Sequence, residues 1–272
     1  MKILVPIDFT PVTENALRYA IGLTSVMAQE IILFHVTTAE KENEEALSKL
    51  NKLCIKYSTD KVTPSAIVRC GSYFDLIGDT ATEIEASLIV MGTHGIKGMQ
   101  RIIGSHAMKV ITHSSTPYIV VQHEPYKEVK RILVPVDFTR EVKQMLPFLT
   151  SMAEYFKATL LLISESSKDS FIQNKIDLNI SYFQSYLADN NIPFAMLNSN
   201  FSSNKYKVIM SEVEKNAIDM IVATIDSETG LTDYIMGVEE QKIVANEAEV
   251  PVLCINTKHF MNRKGNVFEY TF

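Results

Sequence analysis

Four glycines and a serine fall within a short stretch of this sequence: Gly92-Thr93-His94-Gly95, then Gly98, then Gly104-Ser105. Glycine tolerates positive φ and lets a ligand approach the backbone closely. A helix that opens on Ser105 would offer unpaired N–H groups and the positive end of its dipole to an anion. The direct chemical reading is a phosphate-binding loop. The bland alternative is a tight turn followed by a helix cap. The stretch is not a Walker A loop, because no GK[ST] follows, and GxGxxG is absent after the first strand-like run. His94 and His106 flank the cluster, but no Ser/His/Asp set or carboxylate pair can be assembled around them, so no catalytic residue is assigned. Lys97, Arg101 and Lys109 are read as solvated charges, and His35 as a satisfied core histidine.

The elements that must position these residues follow from the hydropathy pattern. Residues 3–7, 31–36, 65–69, 88–91 and 118–121 are short, β-branched and continuously apolar, as strands covered on both faces are. Helical periodicity occupies residues 11–28, 42–57, 73–85 and 105–114. Strands alternating with helices predict βαβ crossovers and a doubly wound parallel sheet. In such sheets ligands sit outside the carboxyl ends of the strands, where the strand order reverses. The glycine cluster follows the fourth strand and so falls at that end.

The pattern then repeats. Ile3-Leu4-Val5-Pro6-Ile7-Asp8-Phe9-Thr10 is answered by Ile132-Leu133-Val134-Pro135-Val136-Asp137-Phe138-Thr139, with one conservative difference. Residues 87–91 are answered by 219–223, and 116–121 by 250–255. Strands are expected near 131–136, 159–164, 193–198, 219–224 and 251–255. The chain therefore divides into two tandem five-stranded, Rossmann-like α/β domains at 1–123 and 131–257, a polar linker at 124–130 and a tail at 258–272. That tail carries alternating aromatics and reads as an edge strand, a partner contact or a loose end.

Composition narrows the function classes. With 46% hydrophobic and 21% charged residues the chain is a folded globular protein. Its net charge of -6 argues against nucleic acid or an anionic membrane as partner. No stretch approaches the roughly 20 apolar residues of a membrane helix, and the opening MKILVPIDF lacks signal-peptide features, so a cytoplasmic protein is expected. Cys54, Cys70 and Cys254 lack metal or disulfide spacing and are expected to be buried or half-buried free thiols.

The opening ILVPIDFT, the strand that ends before GTHG and the GS helix start resemble the universal stress protein family, with the whole chain covered as two copies. ATP-binding members carry G, two residues, G, nine residues, G, then S or T; Gly92, Gly95, Gly104 and Ser105 match, with only eight residues between Gly95 and Gly104. The resemblance implies the adenine nucleotide alpha hydrolase-like version of the fold. It also implies ATP as ligand, with or without Mg, ADP and AMP being the alternatives. Asp8 and the Val36 backbone would lie against adenine, Pro6 and Ile7 beside the ribose, and Gly92 near it. Gly95, Gly104, Ser105 and the His106 amide would hold the phosphates. Asp8 equally suits a helix cap.

In the second copy Thr224-Ile225-Asp226-Ser227 replaces Gly92-Thr93-His94-Gly95, and Gly237 is followed by Val238. No nucleotide is expected there, and Asp137 is read as a cap or turn former. Single-domain relatives pair their last strands across a dimer, so the strands at Tyr118 and Val252 are expected to pair within this chain. A homodimer or an unidentified protein partner completes the partner readings. Three functions compete. The first is a stress-response regulator that binds ATP in its N-terminal half, with a structural or partner-binding second half. The second is a weak ATP hydrolase, and the third a scaffold or chaperone-like protein without nucleotide.

Overall fold

The apolar runs become ten strands: β1 (Lys2–Pro6), β2 (Glu30–Thr37), β3 (Ser65–Cys70), β4 (Leu88–Gly92), β5 (Tyr118–Val121), β6 (Arg131–Val136), β7 (Thr159–Glu165), β8 (Phe194–Phe201), β9 (Met220–Ile225) and β10 (Val252–Asn256). Seven α-helices lie among the described residues: α1 (Pro11–Leu23), α2 (Asn43–Tyr57), α3 (Tyr73–Glu83), α4 (Leu146–Phe156), α5 (Ser170–Asp189), α6 (Lys205–Asn216) and α7 (Val238–Val244). The computed structural model describes residues 1–26, 30–93, 111, 114–122, 126–139, 141–225 and 238–256. The expected helix at 105–114 apart from residues 111 and 114, the tail, and Gly95, Gly98, Gly104, Ser105, His106, Asp226, Ser227 and Gly237 lie outside them, as do His94, Lys97, Arg101 and Lys109.

The strands form one sheet in the order β3-β2-β1-β4-β5-β10-β9-β6-β7-β8. Every neighbouring pair is parallel except β5 and β10, which run antiparallel with Val120 opposite Val252, Ile119 opposite Leu253 and Tyr118 opposite Cys254. Each half is a doubly wound five-stranded sheet in the order 3-2-1-4-5, and the two meet edge to edge. The inner strands are covered on both faces, whereas the edge strands β3 and β8 are only half-buried, contrary to the reading of 65–69 as a covered strand. One core cluster holds Ile3, Val5, Leu33 and Val90 with α1 residues such as Leu17 and Leu23, and it continues into the second half through Phe148, Phe183 and Leu253. The other holds Leu4, Phe34, Ile89 and Tyr118 with Ile77 of α3, Ile209 of α6 and Ile243 of α7. Gln122 donates to the Asn246 carbonyl oxygen at 2.9 Å, a buried bond that links the halves beside the β5–β10 pair.

Two more expectations need correction. Helix α1 stops at Leu23 rather than residue 28, because the Thr24 and Ser25 hydroxyls donate to the Ile21 and Gly22 carbonyls and close its last turn. Cys54 and Cys254 are buried, but Cys70, the last residue of β3 at the sheet's edge, is exposed. The polar composition at 124–130 also conceals a fixed segment. Val129 is buried, and the Tyr126 ring stands edge-on to Tyr19 with 5.3 Å between centroids. A Cβ on Gly22 would overlap Tyr126, so that glycine is the socket into which the segment docks.

Candidate functional site

Strand register decides which residues share the carboxyl end of the first half. Pro6 pairs with Phe34, so two residues on Asp8 stands level with Val36. Between β1 and β4 pairing ends at Leu4–Ile89, whereas β4 stays on β5 as far as Gly92–Val121. The sheet therefore opens between β1 and β4, where the strand order reverses, and Pro6, Ile7, Asp8, Val36 and Gly92 surround that opening. Pro6 and Ile7 are buried, Val36 is half-buried and Asp8 is exposed. Thr93, one residue beyond Gly92, is buried and its N–H donates to the Val121 carbonyl at 2.9 Å.

Asp8 is fastened by one oxygen. Its Oδ1 accepts from the Thr10 N–H at 2.9 Å, the Thr10 hydroxyl at 2.6 Å and the Thr13 hydroxyl at 2.9 Å. Among the described residues Oδ2 carries no hydrogen bond. Burial raises the Asp8 pKa, yet the hydrogen bonds from Thr10 and Thr13 outweigh it and hold the carboxyl below the usual aspartate range. The group is thus ionised and rigid, with one acceptor to spare. It forms a turn ahead of α1 rather than a direct cap, since the N-cap residue is Thr10 and its side chain bonds no helix N–H.

The backbone at this corner is strained. Phe9 has φ 65°, a left-handed conformation that costs a non-glycine residue about 1 kcal/mol. The turn sets its ring 4.6 Å from His35 and 5.7 Å from the Lys49 ammonium. His35 Nδ1 lies 2.6 Å from the Ile7 carbonyl oxygen, which fixes the ring as a donor through that nitrogen and confirms it as a satisfied histidine. Tyr73, at the start of α3, packs against the other core cluster and senses the Asp8 charge. Burial pushes its hydroxyl up to about 12, and the nearby Asp8 charge adds to the rise. Sequence reasoning passed over Thr13 and Tyr73. Thr13 left a trace, since the second copy has Val142 in its place; Tyr73 left none, because only the crossover from β3 brings it beside β1.

Gly92 proves to be needed by packing. A Cβ there would overlap the Val12 carbonyl oxygen, so α1 can lean over the end of β4 only if residue 92 has no side chain. The second half has Thr224 at this place, and there the segment corresponding to the first turn of α1 is wound as a 3-10 turn (Glu141–Met145), with α4 beginning only at Leu146.

The same corner of the second half has kept its turn and changed its chemistry. Asp137 Oδ1 accepts from the Thr139 N–H at 2.9 Å and its hydroxyl at 2.6 Å, as Asp8 does from Thr10. Asn179 of α5 clamps this turn by donating to the Asp137 and Thr139 carbonyls, each at 2.8 Å. Glu165 stands where register puts Val36 in the first half. The cavity here, about 340 Å³, is lined by Asp137, Glu165, Glu239 and Glu240 with Lys205, and Lys205 is already paired with Glu240 at 3.1 Å. Burial first, and then the Asp137 charge, raise the Glu165 pKa. Glu239 is likewise paired with Lys242 at 3.1 Å, and with four carboxylates against these two lysines a polyphosphate would meet net negative charge here.

The duplicated corner, the reversal of strand order between β1 and β4 and the glycine at the end of β4 agree with comparison to known proteins. The profile of the universal stress protein family matches residues 1–122. Residues 1–122 are therefore similar to this family. Universal stress protein MJ0531 of Methanocaldococcus jannaschii is 29% identical over 147 residues, which cover 47% of this chain and 84% of that protein. Universal stress protein G of Salmonella typhimurium is 28% identical over 83 residues, covering 30% of this chain and 58% of that one. The fold of both halves is found in the crystal structure of a universal stress protein from Archaeoglobus fulgidus DSM 4304. That structure superposes with a TM-score of 0.78 at 18% identity, over 94% of this chain and 98% of that one.

Proposed function

We propose that the N-terminal half binds an adenine nucleotide, ATP in the first place, in the opening between β1 and β4, and that the chain acts as a stress-response regulator whose second half has a structural or partner-binding role. The observation that supports this reading most is the asymmetry between two copies of one corner. In the first, apolar Val36 stands beside Asp8, whose carboxylate keeps a free oxygen; in the second, Glu165 occupies the corresponding place in an acidic cavity. A half-buried apolar position next to a fixed acceptor suits a purine with an exocyclic amine. The phosphates would then extend toward the loop that carries Gly95, Gly104, Ser105 and the His106 amide, any magnesium travelling with them.

The test is to denature freshly purified protein and identify released small molecules by mass spectrometry, alongside a Gly104→Glu variant. ATP or ADP near one per chain, lost in the variant, is the expected outcome. Empty protein that also fails to take up added ATP at millimolar concentration sinks the proposal. The scaffold reading would then lead, supported by the loop between Gly95 and Gly104, one residue shorter than the nucleotide-binding pattern.

A further inference from the structure

The second half opens its sheet as the first does. Pairing between β6 and β9 ends at Leu133–Ile221, while β9 stays on β10 as far as Ile225–Asn256. The cavity of about 340 Å³ lies at the carboxyl end of these strands, where doubly wound sheets take their ligands. Its charges do not balance. Glu240 engages Lys205 and Glu239 engages Lys242, which leaves the carboxylates of Asp137 and Glu165 without a cation among the described residues. Asp137 spends Oδ1 on its turn, and Oδ2 takes no hydrogen bond among those residues. Glu165 accepts from the Phe138 N–H, but its Oε2 is buried with no hydrogen-bond partner. A buried acceptor without a donor is costly, so this oxygen marks a place where a donor is missing. Beside it the Phe138 ring lines the cavity and is 41% exposed. Its first-half counterpart Phe9 is instead turned against His35 by a left-handed backbone, which Phe138 does not share.

We propose that this cavity binds an organic cation with a guanidinium head, so that the second half has exchanged an anionic ligand for a cationic one. The net charge of the lining turns anions away, and the choice among cations follows from geometry. A compact metal ion needs several carboxylates converging on one point, and among the described residues no three His, Cys, Asp or Glu side chains do so. A guanidinium spreads its charge over a plane with five N–H donors. Its edge can serve the Asp137 and Glu165 oxygens that lack donors while its face lies on the Phe138 ring. An ammonium offers the charge without that plane. The cavity is at the small end of ligand pockets and suits such a head on a short alkyl chain. The chain carries the same chemistry in Arg263, which follows β10 in sequence, and β10 ends on this side of the sheet. A free guanidinium compound and this arginine share the head group, and the experiment tells them apart. The site lies apart from the β1–β4 opening and does not rest on nucleotide binding there.

Calorimetric titration of the full chain with agmatine tests this, beside putrescine, which carries an ammonium in place of the guanidinium on the same alkyl chain, and magnesium chloride. The expected result is about one agmatine per chain at submillimolar to millimolar affinity, with putrescine about tenfold weaker. Glu165→Gln weakens agmatine about tenfold or more and leaves the ligand-free protein no less stable, because it removes a buried carboxylate oxygen that has no partner. Phe138→Ala, at an exposed ring, weakens agmatine as well and carries the test should Glu165→Gln fail to fold. Arg263→Gln identifies the source: agmatine bound equally by this variant and the wild type means a free cation, and agmatine bound better by the variant means that Arg263 occupies the cavity. Absence of agmatine binding in both chains overturns the proposal. So does binding that putrescine or magnesium matches, or that is indifferent to Glu165→Gln and Phe138→Ala.

Discussion

Two residues in the first-half corner illustrate how a position can serve structure and ligand together. Gly92 reads in sequence as a site of close backbone approach, and so it is, but the approaching group is the Val12 carbonyl. Gly92→Ala must push α1 off the sheet, and urea unfolding of nucleotide-free protein is expected to show a loss of about 1–3 kcal/mol. An unchanged midpoint would return the glycine to a purely ligand-facing role. Asp8 has its folded pKa depressed, so its contribution is complete above the unfolded value of about 3.9 and is lost as pH falls through the lower folded value. Wild-type stability should therefore fall in that acid window more steeply than that of Asp8→Asn, which has no charge there to titrate. Parallel acid unfolding curves would show that the Thr10 and Thr13 bonds do not favour the ionised form. The sequence revealed the type of both residues, while their partners came from packing.

At the scale of elements, strand positions were legible to within a residue or two where apolar runs are covered on both faces, but β8, a half-exposed edge strand, runs three residues past the expected 198. Helix ends were less so, because hydroxyl groups at Thr24 and Ser25 close α1 locally against the hydropathy pattern. The segment between the halves was misleading by composition: Lys127 and Glu128 are exposed, yet Tyr126 and Val129 between and beside them are anchors. Tyr126→Ala leaves a hole above Gly22 and beside Tyr19, with an expected loss of about 2 kcal/mol for a partly buried aromatic. Glu128→Ala, which removes only an exposed ion pair with Lys130, should cost nearly nothing. Equal effects in chemical denaturation would mean the segment is a tether after all.

The whole molecule is one ten-stranded sheet whose first core cluster draws on both halves. The central β5–β10 ladder and the Gln122–Asn246 bond cross between them. Unfolding of one half would strip apolar surface from the other. A single cooperative denaturant transition is therefore expected, with near-ultraviolet signals from tyrosines of both halves coinciding with the far-ultraviolet change. Two separated transitions would show that each half is stable without its neighbour.

The amino-acid sequence alone determined the duplicated α/β architecture, the parallel strands, the likeness of residues 1–122 to the universal stress protein family and the erosion of the glycine cluster in the second copy, because each of these is written in local periodicity or in a motif of adjacent residues. Tertiary structure alone decided that Val12 is what Gly92 makes room for, that Tyr73 stands near Asp8, and that Glu165 occupies the place of Val36. Those facts depend on crossovers that join residues tens of positions apart, and no local pattern specifies which side chains such a crossover will bring together.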